Sequence, residues 1–295
     1  MNAFKAELLL VLVAIFWGSS YLFMEMGLQS ISEFNLIALR FGLAFLLAAS
    51  LFLKRLCHID FMTLKFGMIL GLILFLIFTA ITFGLKTTTT SNAGFLVSLT
   101  VVFVPIISSV VLKKKMEHKL ISSIILALIG ISFLTIKLPL HIMPGDLFCI
   151  IAAFLYALHI LIVSFVAQKI DTLNLGIIQL GFAGIFGLIF SLFIETPTFP
   201  TSTKGWVSIL ALSIFCSALG FIIQIVAQQY TSATKTGLIF SLEPVFAAIF
   251  GFIFLDENMS TIGVLGAILV LLSIILTNTI NKNEKLSSSM EKNAS

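Results

Sequence analysis

The sequence is poor in charged residues. Asp, Glu, Lys and Arg make up 10% of its 295 residues, whereas 59% are apolar and the mean hydropathy is +1.18. A soluble globular domain carries about 25% charged residues, because water must solvate its surface. This chain has too little polar surface to enclose its apolar residues in water. The composition therefore predicts an integral membrane protein.

Cysteines are few, and the common cofactor motifs are absent. Cys57, Cys149 and Cys216 show neither a disulfide framework nor metal-ligand spacing, so we interpret them as small apolar packing residues. The sequence contains no Gly-x-x-x-x-Gly-Lys-Ser/Thr phosphate loop and no His-Glu-x-x-His helix. We expect no cofactor, no metal site and no ATP hydrolysis. The net charge of +4 does not indicate a nucleic-acid partner, because the basic residues lie in short loops between apolar runs.

Long apolar runs are what the sequence has in abundance. A helix of about 20 apolar residues crosses the roughly 30 Å hydrocarbon core of a bilayer. The fold class we predict is therefore all-α, an integral membrane protein with ten transmembrane helices. A disordered cytoplasmic tail follows at 282–295. The ten predicted helices are 7–27, 34–53, 66–85, 92–112, 119–137, 145–164, 174–194, 206–227, 235–255 and 260–280.

One segment of about thirty residues is present twice, without a gap, at a separation of 143 residues. The second and seventh predicted helices also match each other, at a separation of 139 residues. We interpret the chain as two five-helix repeats, 1–138 and 139–281. The matched residues are Thr88/Thr231, Gly94/Gly237, Ser98/Ser241, Leu99/Leu242, Val102/Val245, Phe103/Phe246, Ile106/Ile249, Leu112/Leu255, Asn35/Asn174, Leu36/Leu175 and Gly42/Gly181.

The charges beside the repeated segment change sign. Lys113, Lys114 and Lys115 follow the first copy, and Asp256, Glu257 and Asn258 follow the second. If the N-terminus is cytoplasmic, thirteen basic residues lie in inner segments and three in outer ones, as the positive-inside rule requires. Both termini are then cytoplasmic, in a cytoplasmic membrane. Because five is odd, the second repeat is inverted, an arrangement typical of secondary transporters.

Several motifs carry a family resemblance. They are Ala-Ile-Phe-Trp-Gly-Ser at 14–19, Leu-Arg-Phe at 39–41, the Thr-rich segment 85–93 and Ser-Leu-Glu-Pro-Val-Phe at 241–246. With these motifs in this order, the chain resembles the EamA-type ten-helix transporters of the drug/metabolite transporter superfamily. The resemblance implies transport of small metabolites, often outward, without ATP hydrolysis. One departure is that Thr100-Val101 replaces Glu243-Pro244 in the first repeat, so we do not expect a symmetric substrate site.

Glu243 is the most informative candidate residue. A carboxylate inside the bilayer is costly, about 2.5–3.5 kcal/mol on insertion scales, so its presence needs an explanation. It either changes its protonation or pairing as the two repeats move, or it accepts structural hydrogen bonds beside a helix break. We expect breaks at Pro244 and Pro105, because proline lacks a backbone donor.

Arg40 is the second charged candidate, in the second predicted helix. It either attracts an anionic group of the substrate, or extends outward and packs against the helix end. We prefer the second interpretation. Whether Arg40 and Glu243 form a tight pair is left open, because their depths differ by about 9 Å from the helical rise.

Other polar residues on shared helix faces are candidates for a cavity lining. Ordinary helix packing or hydrogen bonding to neighbouring groups explains each of them equally well or better, and for His159 we prefer that second explanation. The candidate substrate-binding residues are Trp17, Ser20, Tyr21, Asn92, Ser98, Tyr156, His159, Gln224, Gln228 and Ser241.

The function we expect is secondary transport by alternating access. The substrates are small metabolites, with amino acids or related compounds as candidates, and the direction is outward. The alternatives are a passive facilitator or channel and, less favoured, a membrane-embedded enzyme that acts on lipids. The expected partners are a small-molecule substrate and the lipid bilayer. Whether the protein is a monomer or a homodimer is left open.

Overall fold

The structure, a computed structural model, describes residues 1–88, 90–113, 116–135, 143–254 and 261–276. Helices dominate these ranges, and no strand occurs in them. The predicted tail, the acidic segment at Asp256 and two lysines of the basic segment, Lys114 and Lys115, lie outside the described residues. The helices are α1 Ala3–Leu28, α2 Glu33–Leu56, α3 Phe61–Leu85, α4 Thr90–Val97, α5 Thr100–Leu112, α6 His118–Thr135, α7 Pro144–Val166, α8 Thr172–Ile194, α9 Thr203–Ala211, a π-helical segment Leu212–Leu219, α10 Gly220–Gln228, α11 Ala233–Phe240, α12 Glu243–Phe254 and α13 Thr261–Leu276.

Eight stretches of the described chain are long and apolar enough to cross a membrane. They correspond to the first to fourth and sixth to ninth predicted helices. The fifth and tenth predicted helices correspond to shorter apolar helices, His118–Phe133 and Thr261–Leu276. The prediction of an all-helical membrane protein is thus confirmed, with eight candidate spans.

The outer surface is apolar. Leu51, Phe61 and Phe193 are between 78% and 86% exposed, although large apolar side chains are normally buried in water-soluble proteins. In a bilayer these side chains contact lipid, so their exposure has no cost.

Several helices begin with a polar side chain that accepts a hydrogen bond from the first turn. Asp171 accepts from the backbone amides of Leu173 and Asn174 at 3.0 and 3.1 Å. Asp60 accepts from the hydroxyl and the amide of Thr63, and these bonds lower the pKa of its carboxyl below the ordinary value. Such caps satisfy amides that have no partner within the helix, which sets where α8 and α3 begin.

The fourth and ninth predicted helices are each divided in two. The chain turns at residues 98–99 between α4 and α5, and at 241–242 between α11 and α12, which are matching positions of the two copies. At each turn the serine hydroxyl donates to a carbonyl of the preceding helix, Ser98 to Gly94 at 2.6 Å and Ser241 to Leu238 at 2.6 Å. Such bonds compete with the helical pattern.

The prolines are not where these helices divide. Pro105 lies inside α5, which continues through it as a single helix. Pro244 is the second residue of α12, just after the turn, where the lack of a backbone donor is tolerated. The turn therefore forms in the first copy without the Glu-Pro pair.

Small residues allow the helices of the two predicted repeats to pack closely. A Cβ atom at Gly184 would lie 2.7 Å from the backbone nitrogen of Gly42, and one at Gly187 would lie 2.8 Å from that of Ala38. Residue numbers rise along α8 as they fall along α2, so the two helices are antiparallel. α5 packs against α11 at Gly237, and α6 packs against α13 at Gly130.

Candidate functional site

A cavity lies between helices of both predicted repeats. α1, α2, α3 and α4 contribute to its wall from the first repeat, and α7 and α12 from the second. The polar and aromatic side chains that line it include Trp17, Ser20, Tyr21, Arg40, Tyr156 and Glu243.

Arg40 points into the bundle, and its side chain is fully buried. Its Nε donates to the Ser217 hydroxyl at 2.7 Å, and its guanidinium carbon lies 4.0 Å from the centre of the Phe78 ring. Its two terminal nitrogens have no hydrogen-bond partner. The interpretation that we preferred, an arginine extending outward to the helix end, is therefore wrong, because the side chain is anchored beside the cavity.

Glu243 stands at the first residue of α12 and is 9% exposed. The Tyr21 side chain lines the same cavity as Glu243. The ion pairs found in the described part of the chain do not include one between Arg40 and Glu243. The two opposite charges therefore face the same cavity without neutralising each other directly.

Trp17 is the centre of an aromatic cluster. Its ring centre lies 4.7 Å from that of Phe240, 4.9 Å from that of Phe221 and 5.4 Å from that of Tyr156. Its indole N–H donates to the Cys216 carbonyl at 2.8 Å. Because this carbonyl lies in the π-helical segment, the wider helical turn presents it to α1. π-Helical turns are frequent at functional sites.

His159, Gln224 and Gln228 do not line this cavity. His159 Nε2 lies 2.9 Å from the side-chain oxygen of Gln179. Gln224 donates to Gln228 at 2.9 Å, and Gln228 donates to the Ile160 carbonyl at 3.1 Å. These three side chains hold α7, α8 and α10 together.

Asn92, Ser98 and Ser241 also lie away from the cavity wall. Asn92 donates to the Asp146 carboxylate at 2.6 Å, at one end of the bundle. The two serine hydroxyls bond to their own helices at the turns described above. The structure therefore gathers Trp17, Ser20, Tyr21 and Tyr156 with the two charged residues, and leaves the other six predicted substrate residues outside this group.

Sequence reasoning missed two contributions to this site. One is the π-helical segment, whose Cys216 carbonyl and Ser217 hydroxyl hold Trp17 and Arg40. Ser217 shares a helix face with Phe221, which is a signal that could have identified it. The other is the apolar wall from α3, where Phe78 carries no sequence signal that separates it from neighbouring apolar residues.

Polar contacts join the helices at both ends of the bundle. At the end that holds Glu7 (the Glu7 end), Lys235 Nζ lies 2.6 Å from Glu7 Oε1. At the opposite end (the Asp146 end), the Thr88 hydroxyl and the Asn92 amide each donate to Asp146 Oδ1 at 2.6 Å. Both contacts are formed in this structure.

These two end contacts occupy matching positions of the two copies. Glu7 and Asp146 are separated by 139 residues, and Asn92 and Lys235 by 143. These are the separations found for the two sets of matched residues. The same pair of positions therefore joins its helices at opposite ends of the bundle, with an ionic contact at one end and an amide–carboxylate contact at the other.

The model of the EamA-like transporter family matches the chain twice, at residues 4–136 and 143–279. An uncharacterized transporter of Archaeoglobus fulgidus is 32% identical over 92% of this chain and 85% of its own length. The uncharacterized transporter YoaV of Bacillus subtilis is 24% identical over 92% of this chain and 96% of its own length. A solved crystal structure shares the fold with a TM-score of 0.81 at 14% identity, covering 96% of this chain and 99% of its own.

Proposed function

The chain belongs to the EamA-like transporter family, and on that premise we propose that it is a secondary transporter that moves small metabolites by alternating access. The single observation that carries the proposal is the cavity between helices of both repeats, with Arg40 and Glu243 in its wall. Transporters built from inverted repeats bind substrate where the repeats meet, at discontinuous helices. Glu243 lies at such a helix division.

The proposed architecture has ten spans in two inverted five-helix repeats. The antiparallel crossing of α2 and α8, which are matched helices, supports the inversion. The turns at 98–99 and 241–242 support the repeat, because each divides the matching helix at the same position. α6 and α13 would be the fifth and tenth spans.

The end contacts supply the two gates of the proposed cycle. Opening the Glu7 end requires the pair between Lys235 and Glu7 to separate, whereas opening the opposite end requires Asn92 and Thr88 to leave Asp146. Rocking of one repeat against the other would open one end while the other stays closed. From the distribution of basic residues we propose that the Glu7 end faces the cytoplasm.

The aromatic and apolar cavity wall favours small solutes with an apolar part. Trp17, Tyr156 and Phe78 offer ring faces, and the two charged residues offer one positive and one negative group. Amino acids or related compounds fit this combination, and we propose that they move outward across the cytoplasmic membrane.

Reconstitution in liposomes tests the proposal. A panel of labelled amino acids and related acids and amines is compared with empty vesicles and with vesicles preloaded with the unlabelled compound. Saturable uptake that preloading accelerates is the expected result, because exchange is faster than one-way movement in alternating access. Uptake that rises linearly with concentration would instead indicate a channel, and no uptake for the whole panel would contradict transport.

A further inference from the structure

Part of the Arg40 guanidinium, its edge with the two terminal nitrogens, has no partner within the protein. Its side chain is fully buried, its Nε is occupied by Ser217 at 2.7 Å, and its two terminal nitrogens have no hydrogen-bond partner. Buried charges in proteins are normally paired, because an uncompensated ion in a medium of low dielectric constant is costly. The guanidinium is therefore prepared for a partner that the protein itself does not supply.

The orientation of that edge is fixed. The Ser217 hydroxyl holds Nε, and the Phe78 ring lies 4.0 Å from the guanidinium carbon, close enough for a cation–π contact. The centre of the Phe41 ring lies 5.2 Å from the same guanidinium carbon. With Nε occupied, the remaining donors are the two terminal nitrogens, whose parallel N–H groups match the two oxygens of a carboxylate.

The nearest opposite charge does not fill this role. Glu243 faces the same cavity, but the ion pairs of the described residues do not include one between Glu243 and Arg40. A negative charge near Glu243 would be repelled, whereas one against Arg40 would be attracted. The cavity therefore suits one carboxylate at the Arg40 side and disfavours a second anionic group.

We infer that Arg40 binds the carboxylate of the transported solute, and that the solute is a small monocarboxylate with an aromatic or apolar body. The rings of Trp17 and Tyr156 contact that body. This inference rests on the proposed function and names the chemistry of its substrate. Glu243, which lines the same cavity, admits an amine or hydroxyl on the solute and excludes dicarboxylates and phosphate esters.

Matched probes test the inference on the purified, full-length protein. Phenylacetate, phenylacetamide, phenylsuccinate and phenethylamine share a phenyl body and differ in charge. A ligand that binds the folded state raises the melting temperature with its concentration, so apparent affinities follow from thermal titrations. Phenylacetate is expected to bind at least about tenfold more tightly than each of the other three. A neutral or cationic group leaves the buried donors unpaired, and the second carboxylate of phenylsuccinate is repelled by Glu243.

Variants then assign the preference to Arg40. R40Q is expected to bind phenylacetate and phenylacetamide equally, and R40K to lose about tenfold for phenylacetate because an ammonium cannot form the paired contact. R55Q is the matched control. Arg55 is the only other arginine, lies outside the cavity and is exposed, so this variant should retain the wild-type preference.

Three outcomes overturn the inference. They are equal binding of acid and amide by the wild type, an unchanged preference in R40Q, and no stabilisation by phenylacetate at millimolar concentrations. The comparison within the wild type decides the question even if R40Q does not fold. If phenylacetate binds through Arg40 but liposomes show no flux of any solute, the proposed function fails and the binding site stands. If liposomes show saturable flux of amines and no preference for carboxylates, the proposed function stands and the inference about Arg40 fails.

Discussion

Lys235 Nζ lies 2.6 Å from Glu7 Oε1, and this ion pair joins the start of α11 to the first turns of α1. Both side chains are largely buried, with 17% and 14% exposure. At the opposite end of the bundle the matching positions hold Asn92 and Asp146, with a distance of 2.6 Å between donor and acceptor. Matching positions of the two predicted repeats therefore join helices at opposite ends of the bundle.

The first prediction concerns the ion pair at the Glu7 end. K235Q should raise the reactivity of a cysteine at the cavity residue Ser20 toward a membrane-impermeant maleimide that is applied from the Glu7 end. A partly buried ion pair contributes about 1 kcal/mol, so we expect roughly a fivefold rise in labelling rate. The measurement uses S20C in a C57S background, because Cys57 is the exposed native cysteine.

The charge exchange E7K/K235E is the control for that experiment. It restores the ion pair with its polarity reversed, so labelling should return toward the wild-type rate. If the exchange variant labels as fast as K235Q, the pair does not hold this end closed.

The second prediction concerns the opposite end. D146N keeps the size of the side chain but weakens its bonds with Thr88 and Asn92, because a neutral acceptor binds less strongly than a carboxylate. Labelling of S20C should rise from the Asp146 end and fall from the Glu7 end. A rise from both ends at once would indicate loss of structure rather than gating.

The third prediction concerns Glu243. E243Q retains the shape of the side chain in the cavity wall, but it cannot exchange a proton. The variant should insert and fold like the wild type and should lose at least about tenfold of any flux driven by a pH gradient, because general proton transfer needs a titratable group. The measurement is uptake into liposomes across imposed pH gradients. If wild-type flux is the same at every imposed pH gradient, Glu243 does not couple transport to proton movement.

The fourth prediction compares two glycines that touch each other. In G184A the new methyl group would lie 2.7 Å from the Gly42 backbone nitrogen, so α8 must move away from α2, at a cost of about 1–3 kcal/mol. In G42A the methyl group meets no atom within 4 Å, so this variant should keep or gain stability through the higher helix propensity of alanine. Thermal unfolding in detergent measures both. Equal melting temperatures would contradict the close contact.

The fifth prediction concerns a cap supplied from another helix. The Glu195 carboxylate, just after α8, accepts from the backbone amides of Phe34 and Asn35 at 3.0 Å each, at the start of α2. E195Q should lower stability by about 1 kcal/mol, since it removes the charge that favours a helix N-terminus. E33Q should cost less than E195Q, because it also removes a charge from the first turn of α2 but its partner Lys86 is half exposed. Equal losses of stability would contradict a special role for the Glu195 cap.

Part of the candidate site was accessible from sequence. Trp17, Ser20 and Tyr21 share a face at helical spacing, and Arg40 and Glu243 are costly in a bilayer, so periodicity and burial cost were sufficient to select them. The same arguments also selected His159 and Gln228, which bond to other helices rather than to the cavity. Periodicity shows which residues share a face, but it does not show what that face meets.

The sequence by itself determined the membrane class, the apolar runs and the repeat, because composition, run length and matched positions are properties of the chain order. Only the tertiary structure decided that Arg40 faces inward, that the helix turns lie at Ser98 and Ser241 rather than at the prolines, and that a π-helical segment holds Trp17. The partners of Arg40 and Trp17 lie on helices distant in sequence, so no local pattern records them. The serine bonds at the two turns are local, but Ser and Thr occur in many helices without ending them, so the sequence did not single out these two.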